Sequence, residues 1–230
     1  MASCRSWLRW LPAEPRVLRP VGLLCVLVLA FLALAYAVQG GRTEGFDRAV
    51  LTMVRSAADP SNPIGSLWLK RVFQDITSLG STAIITLITV IASLYLAVKG
   101  RMALGILVAT AVTTGAIVEQ AMKFGFNRAR PDLVPHLAVE TSLSFPSAHA
   151  MLSALTYLTI SALLARAEPR RRGRWFVLGV GMTVTLLVGV SRVYLGVHWP
   201  TDVLAGWTAG AIWTLLFWIV ALRIDRPTGG

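Results

Sequence analysis

Charge is scarce in this chain. Only 14% of its 230 residues are Asp, Glu, Lys or Arg, against about 25% in a soluble globular domain. Acids are scarcer than bases, 11 against 22, and there are three histidines and two cysteines. So little polar side chain cannot cover a water-facing surface. Cys4 stands in a basic leader and Cys25 inside an apolar run, so neither a disulfide nor a thiolate metal knot is expected, and the redox compartment is not encoded. No HExxH helix and no acidic cluster offers metal ligands. The expected chemistry is metal-free and needs no cofactor. Internal repeats and low-complexity segments are absent as well.

Apolar length stands in place of charge. Apolar residues make up 55% of the chain, and mean hydropathy is +0.66. They fall into six blocks, at 21–38, 80–98, 102–122, 150–165, 175–190 and 203–222, and a bilayer crossing takes roughly 20 residues. The fold expected is an all-α integral membrane protein with six transmembrane helices in one bundle. Residues 1–20 read as a basic leader, 21–222 as the membrane domain and 223–230 as a tail. Ala35-Tyr36-Ala37 imitates a signal-peptidase site, but the leader and the apolar run are both too long for a cleaved signal. The first block reads as a retained anchor.

The positive-inside rule orients the bundle. With both termini in the cytoplasm, the leader, the turn at Lys99 and Arg101, the basic loop from Arg166 to Arg174 and the tail hold 13 of the 22 cations on the inside. A net charge of +11 distributed in this way reads as topology and membrane-surface contact, with no nucleic-acid partner. The segment 39–79 carries two apolar stripes, Phe46, Val50, Met53, Val54 and Ala57, then Leu69, Val72, Phe73 and Ile76. Short amphipathic helices at the membrane surface are expected there.

The nine outside cations include several that topology does not explain. "KFGFNRARP" sets Lys123 and Arg130 with six residues between them and follows them with Pro131. A guanidinium fork and a compact ammonium both suit phosphate oxygens. Arg128, between them, reads as an ordinary headgroup-facing cation. "SFPSAHA" opens the fourth block: Pro146 suits a first helical turn, and the amides of Ser147, Ala148 and His149 would then stand free at a positive helix end, with the Ser147 hydroxyl beside them. "SRVYLGVHWPTD" holds Ser191, Arg192, His198 and Asp202, the last two one helical turn apart.

Each segment alone has an ordinary explanation as a cap, a snorkelling cation or an aromatic belt. Together they put two histidines, three cations and a carboxylate at one face of the membrane, where ionisable groups are expensive and usually functional. Three cations without matching acids call for an anion, and phosphate fits. A His backed by a carboxylate can attack, while a second His protonates the leaving group.

These three segments resemble the signature of the type 2 phosphatidic acid phosphatase superfamily. Its Lys, six residues, Arg-Pro falls on Lys123, Arg130 and Pro131. Its Pro-Ser-Gly-His falls on Pro146, Ser147, Ala148 and His149, and its Ser-Arg, five residues, His, three residues, Asp falls on Ser191, Arg192, His198 and Asp202. The departure is Ala148, where the family has glycine, which sets a methyl group near the phosphate oxygens.

The resemblance implies that His198 attacks phosphorus, Asp202 orients its ring and His149 protonates the departing oxygen. Lys123, Arg130, Arg192, Ser147 and the backbone at Ala148 would hold the phosphoryl group. Pro131, Pro146 and Ser191 would shape the backbone, Glu119 would pair with Lys123 one turn away, and His136 is left as a surface residue. The implied activity is metal-independent dephosphorylation of a membrane lipid phosphate or diphosphate through a phosphohistidine, at the outer face of a bacterial plasma membrane. Undecaprenyl diphosphate is the favoured substrate, before phosphatidylglycerol phosphate and phosphatidic acid. Rivals are a lipid phosphotransferase or lipid A phosphatase of the same family and, more distantly, a non-enzymatic anion transporter.

Overall fold

A computed structural model describes residues 15–138 and 142–224. Cys4, Arg5 and Arg9 of the leader and Arg226 of the tail lie outside the described residues. Eight helices follow one another among those described: α1 (Pro15–Gln39), α2 (Glu44–Met53), α3 (Leu67–Ser78), α4 (Thr82–Val98), α5 (Met102–Phe126), α6 (Ala148–Ala167), α7 (Arg171–Tyr194) and α8 (Pro200–Ile224). Five are long and apolar enough to cross a membrane: α1 from Leu18 onward, α5, α6, α7 and α8. The expected second block is α4, only 17 residues long, which continues α3 across a bend of 46°. Among the described residues the chain is therefore an all-helical membrane protein with five helices of spanning length and one bent pair.

Local chemistry sets the boundaries. Ser66 caps α3 by accepting from the Leu69 amide, and Ser81 caps α4 by accepting from that of Ile84. Helix α5 ends on Asn127 in the left-handed region at φ 47°, its N–H returning to the Lys123 carbonyl. Pro200 opens α8, where its missing donor costs nothing. Helix α1 starts at Pro15, six residues before the expected block.

Helix α6 forms the centre, packed against α7 and α8. Seven successive residues, Ala150 to Thr156, are buried, so the helix is enclosed on every side for about two turns from Ala150 onward. Small residues allow this. A Cβ at Gly206 of α8 would stand 2.7 Å from the Ser147 carbonyl oxygen, and one at Gly210 would stand 2.5 Å from that of Met151. With Ala150 and Ala154 facing them, these glycines bring the two backbones together in the small-xxx-small manner of membrane helix pairs. Ser147 donates its amide to the Asp202 carbonyl across this contact (3.0 Å).

The stretch between α1 and α4 departs in part from its expected stripes. Helix α2 stops at Met53, so Val54 is its cap and Ala57 lies beyond it. Phe46 and Met53 are exposed, while the protein-facing side is Asp47 and Leu51. A carboxylate thus takes the inward position, because the half-buried Arg128 meets it there. On α3, Leu69 and Phe73 pack on Tyr194, Leu195 and Val197.

Candidate active site

The site is built from helix ends at one face of the bundle. At the end of α5, Lys123 and Glu119 form the anticipated i,i+4 pair, 3.1 Å apart and almost fully buried. Lys123 Nζ also donates to Ser142 Oγ (2.8 Å). Beyond the Asn127 turn the chain is extended, and Arg130 reaches the same serine, Nε donating to its carbonyl (2.7 Å) and Nη2 to its hydroxyl (3.2 Å). Ser142 is therefore the joint that sets two cations, separated in sequence, side by side.

Arg130 Nη1 donates to the Val197 carbonyl at 2.7 Å and lies 3.1 Å from His198 Nε2. His198 is 1% exposed. It follows the turn at Gly196, whose φ of +77° favours glycine. Arg55 from beyond α2 braces that turn by donating to the Tyr194 carbonyl (3.1 Å). The other ring nitrogen, Nδ1, lies 3.5 Å from Asp202 Oδ2. Ser144 Oγ sits between them, 2.5 Å from that oxygen and 3.4 Å from Nδ1, and the Trp199 amide donates to the same oxygen (2.9 Å). A carboxylate and a hydroxyl at Nδ1 favour the tautomer with its proton there. Nε2 then keeps its lone pair and faces the cations.

The second oxygen of Asp202 belongs to a residue read as ordinary from the sequence. Arg128 Nη1 lies 2.6 Å from Asp202 Oδ1, and Nη2 lies 2.6 Å from Asp47 Oδ2. Asp47 also accepts the Thr201 amide (3.0 Å) and hydroxyl (2.7 Å). Arg128 is thus no headgroup-facing cation. It bridges two buried carboxylates, and only the fold brings them to it. Its one sequence signal was the shared side of an extended segment that it takes with Arg130, two residues on.

Two further expectations need correcting. The Ser147 amide is not free, since Asp202 takes it. Pro146 precedes α6 rather than entering it, because Ser147 is the N-cap. His136, by contrast, is exposed as expected of a surface residue, with its Nε2 2.7 Å from the Pro131 carbonyl. Ser147 also fails as a simple cap, for its hydroxyl makes no cap bond and is buried without a partner.

Ser191 donates locally, to the Val188 carbonyl (2.6 Å). Arg192 is 1% exposed and donates to Thr77 Oγ1 of α3 (2.9 Å). His149 and Ala148 stand half-buried in the first turn of α6, with His149 against Gly80 at the bend before α4. Ser142, Ser144, Thr201, Asp47 and Thr77 were not singled out by sequence. The hydroxyl-rich run "SLSFPS" was the available signal. A cleft of about 220 Å³ opens over Arg128, Arg130, Asp47, Arg48, Asp132 and Trp199.

Comparison with known proteins gives the family of the chain. Residues 102–226 match the profile of the PAP2 superfamily. Phosphatidylglycerophosphatase B of Bacillus subtilis is 33% identical over 198 residues, covering 84% of this chain and 91% of that protein. The undecaprenyl-diphosphatase of Sulfolobus acidocaldarius is 29% identical over 145 residues, or 61% of this chain and 63% of that one. The crystal structure of a transmembrane PAP2-type phosphatidylglycerolphosphate phosphatase from Bacillus subtilis superposes with a TM-score of 0.80 at 31% identity, over 90% of this chain and 98% of that one. By the profile match, the extent of identity and the shared fold, the chain belongs to the PAP2 superfamily, the type 2 phosphatidic acid phosphatases, as an integral-membrane phosphatase.

Proposed function

We propose that the protein hydrolyses the terminal phosphate of a glycerophospholipid, phosphatidylglycerol phosphate before others, through a phosphohistidine on His198. The observation that carries this reading is the split environment of the His198 ring, with Nδ1 against Asp202 and Ser144 and Nε2 against Arg130. In the first step the Nε2 lone pair forms a bond to phosphorus, the bond from phosphorus to the lipid oxygen breaks, and His149 gives that oxygen its proton. Water then attacks phosphorus and gives a proton back to His149, the N–P bond breaks, its electron pair returns to Nε2 and phosphate leaves. Lys123, Arg130 and Arg192, with the Ser147 hydroxyl and the first amides of α6, hold the three phosphoryl oxygens as charge builds on them. The unpartnered Ser147 hydroxyl supports this role, since a buried donor without an acceptor suits an anion that arrives.

Favouring a glycerophospholipid over a carrier diphosphate follows the extent of likeness. The phosphatidylglycerophosphatase covers most of both chains, and the undecaprenyl-diphosphatase less than two thirds of either. In the membrane, the bent α3–α4 pair serves as the sixth span, so both termini share one side. The basic turns put that side in the cytoplasm of a bacterial plasma membrane and the site on the outer face.

The test is phosphate release by purified protein in detergent micelles with chelator present, on phosphatidylglycerol phosphate, phosphatidic acid and undecaprenyl diphosphate, beside His198→Ala. Release that survives chelator and is lost in the variant supports the route, and the order of rates names the lipid. Equal inertness of both proteins on every lipid would remove hydrolysis and leave transfer to an acceptor as the better reading.

A further inference from the structure

We propose that Arg128 and Asp47 form a positioning arm that holds the Asp202 carboxylate in the plane His198 needs; this rests on the phosphohistidine reading above. Asp202 is fully buried and its two oxygens are separately engaged. Oδ2 faces His198 Nδ1, Ser144 and the Trp199 amide, and Oδ1 faces Arg128 Nη1 at 2.6 Å. A carboxylate anchored at one oxygen alone can turn about its Cβ–Cγ bond. Anchored at both, it keeps Oδ2 beside the ring.

The anchor is itself anchored. Arg128 Nη2 reaches Asp47 of α2 at 2.6 Å, and Asp47 is 0% exposed. Asp47 takes the amide and hydroxyl of Thr201, the residue next to Asp202, and the Thr43 hydroxyl at 3.1 Å. Helix α2 therefore grips both the backbone beside Asp202 and the guanidinium upon it. Only a planar fork can lie between two carboxylates in this way; an ammonium meets them as one point. Leu51 on the same side of α2 is fully buried against Val134, Val193 and Val203, which fixes the helix that carries Asp47.

The rival role for Arg128 is a further phosphate ligand, because it shares a cleft with Arg130. Kinetics separate the two. A positioning residue acts on the chemical step, whereas a phosphate ligand also acts on binding. The full chain in detergent micelles would be assayed on phosphatidylglycerol phosphate, with orthovanadate as a phosphate mimic, for Arg128→Gln, Arg128→Lys, Asp47→Asn and the Asp47→Asn/Arg128→Gln double variant.

The arm predicts that Arg128→Gln lowers kcat about ten- to a hundredfold, as for groups that orient a catalytic ligand. KM and the vanadate inhibition constant should stay within about twofold of wild type. Arg128→Lys recovers part of the loss, Asp47→Asn costs less than Arg128→Gln, and the double variant loses less than the two single losses combined, because Asp47 acts partly through Arg128 and partly through Thr201. A rise in KM and in the vanadate constant with kcat held would overturn the proposal in favour of a phosphate ligand. Wild-type kcat in a folded Arg128→Gln protein would also overturn it. If Arg128→Gln does not fold, Asp47→Asn decides: lowered kcat at constant KM supports the arm, and unchanged kcat removes it. His198→Ala, run alongside, separates the readings. Activity in that variant defeats the phosphohistidine route itself, whereas a dead His198→Ala beside a wild-type-like Arg128→Gln defeats the arm alone.

Discussion

The two ends of the bundle use their cations differently. At the site end, Lys123, Arg128 and Arg130 each meet a carboxylate, a hydroxyl or a carbonyl at 2.6 to 3.2 Å. At the opposite end, Lys99, Arg101 and Arg166 rim an apolar groove of about 690 Å³ between α4, α5 and α6. There Lys99 lies over Tyr95 at 5.7 Å and Arg166 over Trp218 at 6.0 Å, distances of loose aromatic contact. The charges are alike in kind, but Lys123, Arg128 and Arg130 are the ones that converge through short contacts on shared buried oxygens. Positive charge near a membrane face therefore says little by itself. A cation held by buried oxygens at fixed distances is preorganised, and preorganisation lets charge act on a transition state.

Substitutions at the two ends can break or sharpen that contrast. The largest effect is expected from His198→Ala, which should lower phosphate release at least about a thousandfold, as losing the nucleophile of a catalytic unit does. Phosphate release from lipid micelles measures it, with thermal unfolding as a check on the fold. Next comes Arg130→Ala, which touches both the ring nitrogen and the Ser142 joint; a loss of about 10²–10³ in kcat is expected, the scale of one oxyanion donor.

Ser147→Ala sharpens the comparison further. If the hydroxyl were a helix cap, its loss would cost about 1 kcal/mol of stability. With no cap bond present, the unfolding temperature should hold or rise slightly while kcat falls about tenfold, the equivalent of roughly 1.4 kcal/mol of transition-state binding. Gly206→Val tests the scaffold, because a side chain there meets the Ser147 carbonyl and Ala150. Overpacking of this kind costs about 1–3 kcal/mol, and a lower unfolding temperature with loss of activity is expected. The smallest effects belong to the opposite end. Lys99→Gln and Arg101→Gln should leave activity near wild type and stability within about 0.5 kcal/mol, as for surface changes away from special features.

Local chemistry made much of the architecture legible in advance. Long apolar runs stand for helices, and seryl caps and prolines mark where several begin. The i,i+4 spacings of Glu119 with Lys123 and of His198 with Asp202 survive into contact because they lie within one helix or across one turn. On α3, Leu69 and Phe73 of the apolar stripe face the bundle, whereas on α2 Phe46 and Met53 are exposed and Asp47 faces inward, since periodicity cannot tell an outward apolar side from an inward one that contains a buried acid. The sixth span was blurred for a related reason: α4 is too short to cross on its own criteria, and its partner α3 is only half apolar.

Residue order alone thus determined that this chain enters a membrane as helices, and it determined the order and spacing of the groups that the signature requires. Only the tertiary structure decided which oxygen each cation meets. Asp47 and Thr201 stand 154 residues apart, and Arg128 and Asp202 stand 74 apart. Their pairing depends on how closely α8 approaches α6, on the place α2 takes beside α8 and on the turn at Asn127. Periodicity within one helix reports its own faces; it carries no record of which neighbour will cover them. The partners of a buried charge are chosen by packing, where leaving a charge without one would cost several kcal/mol.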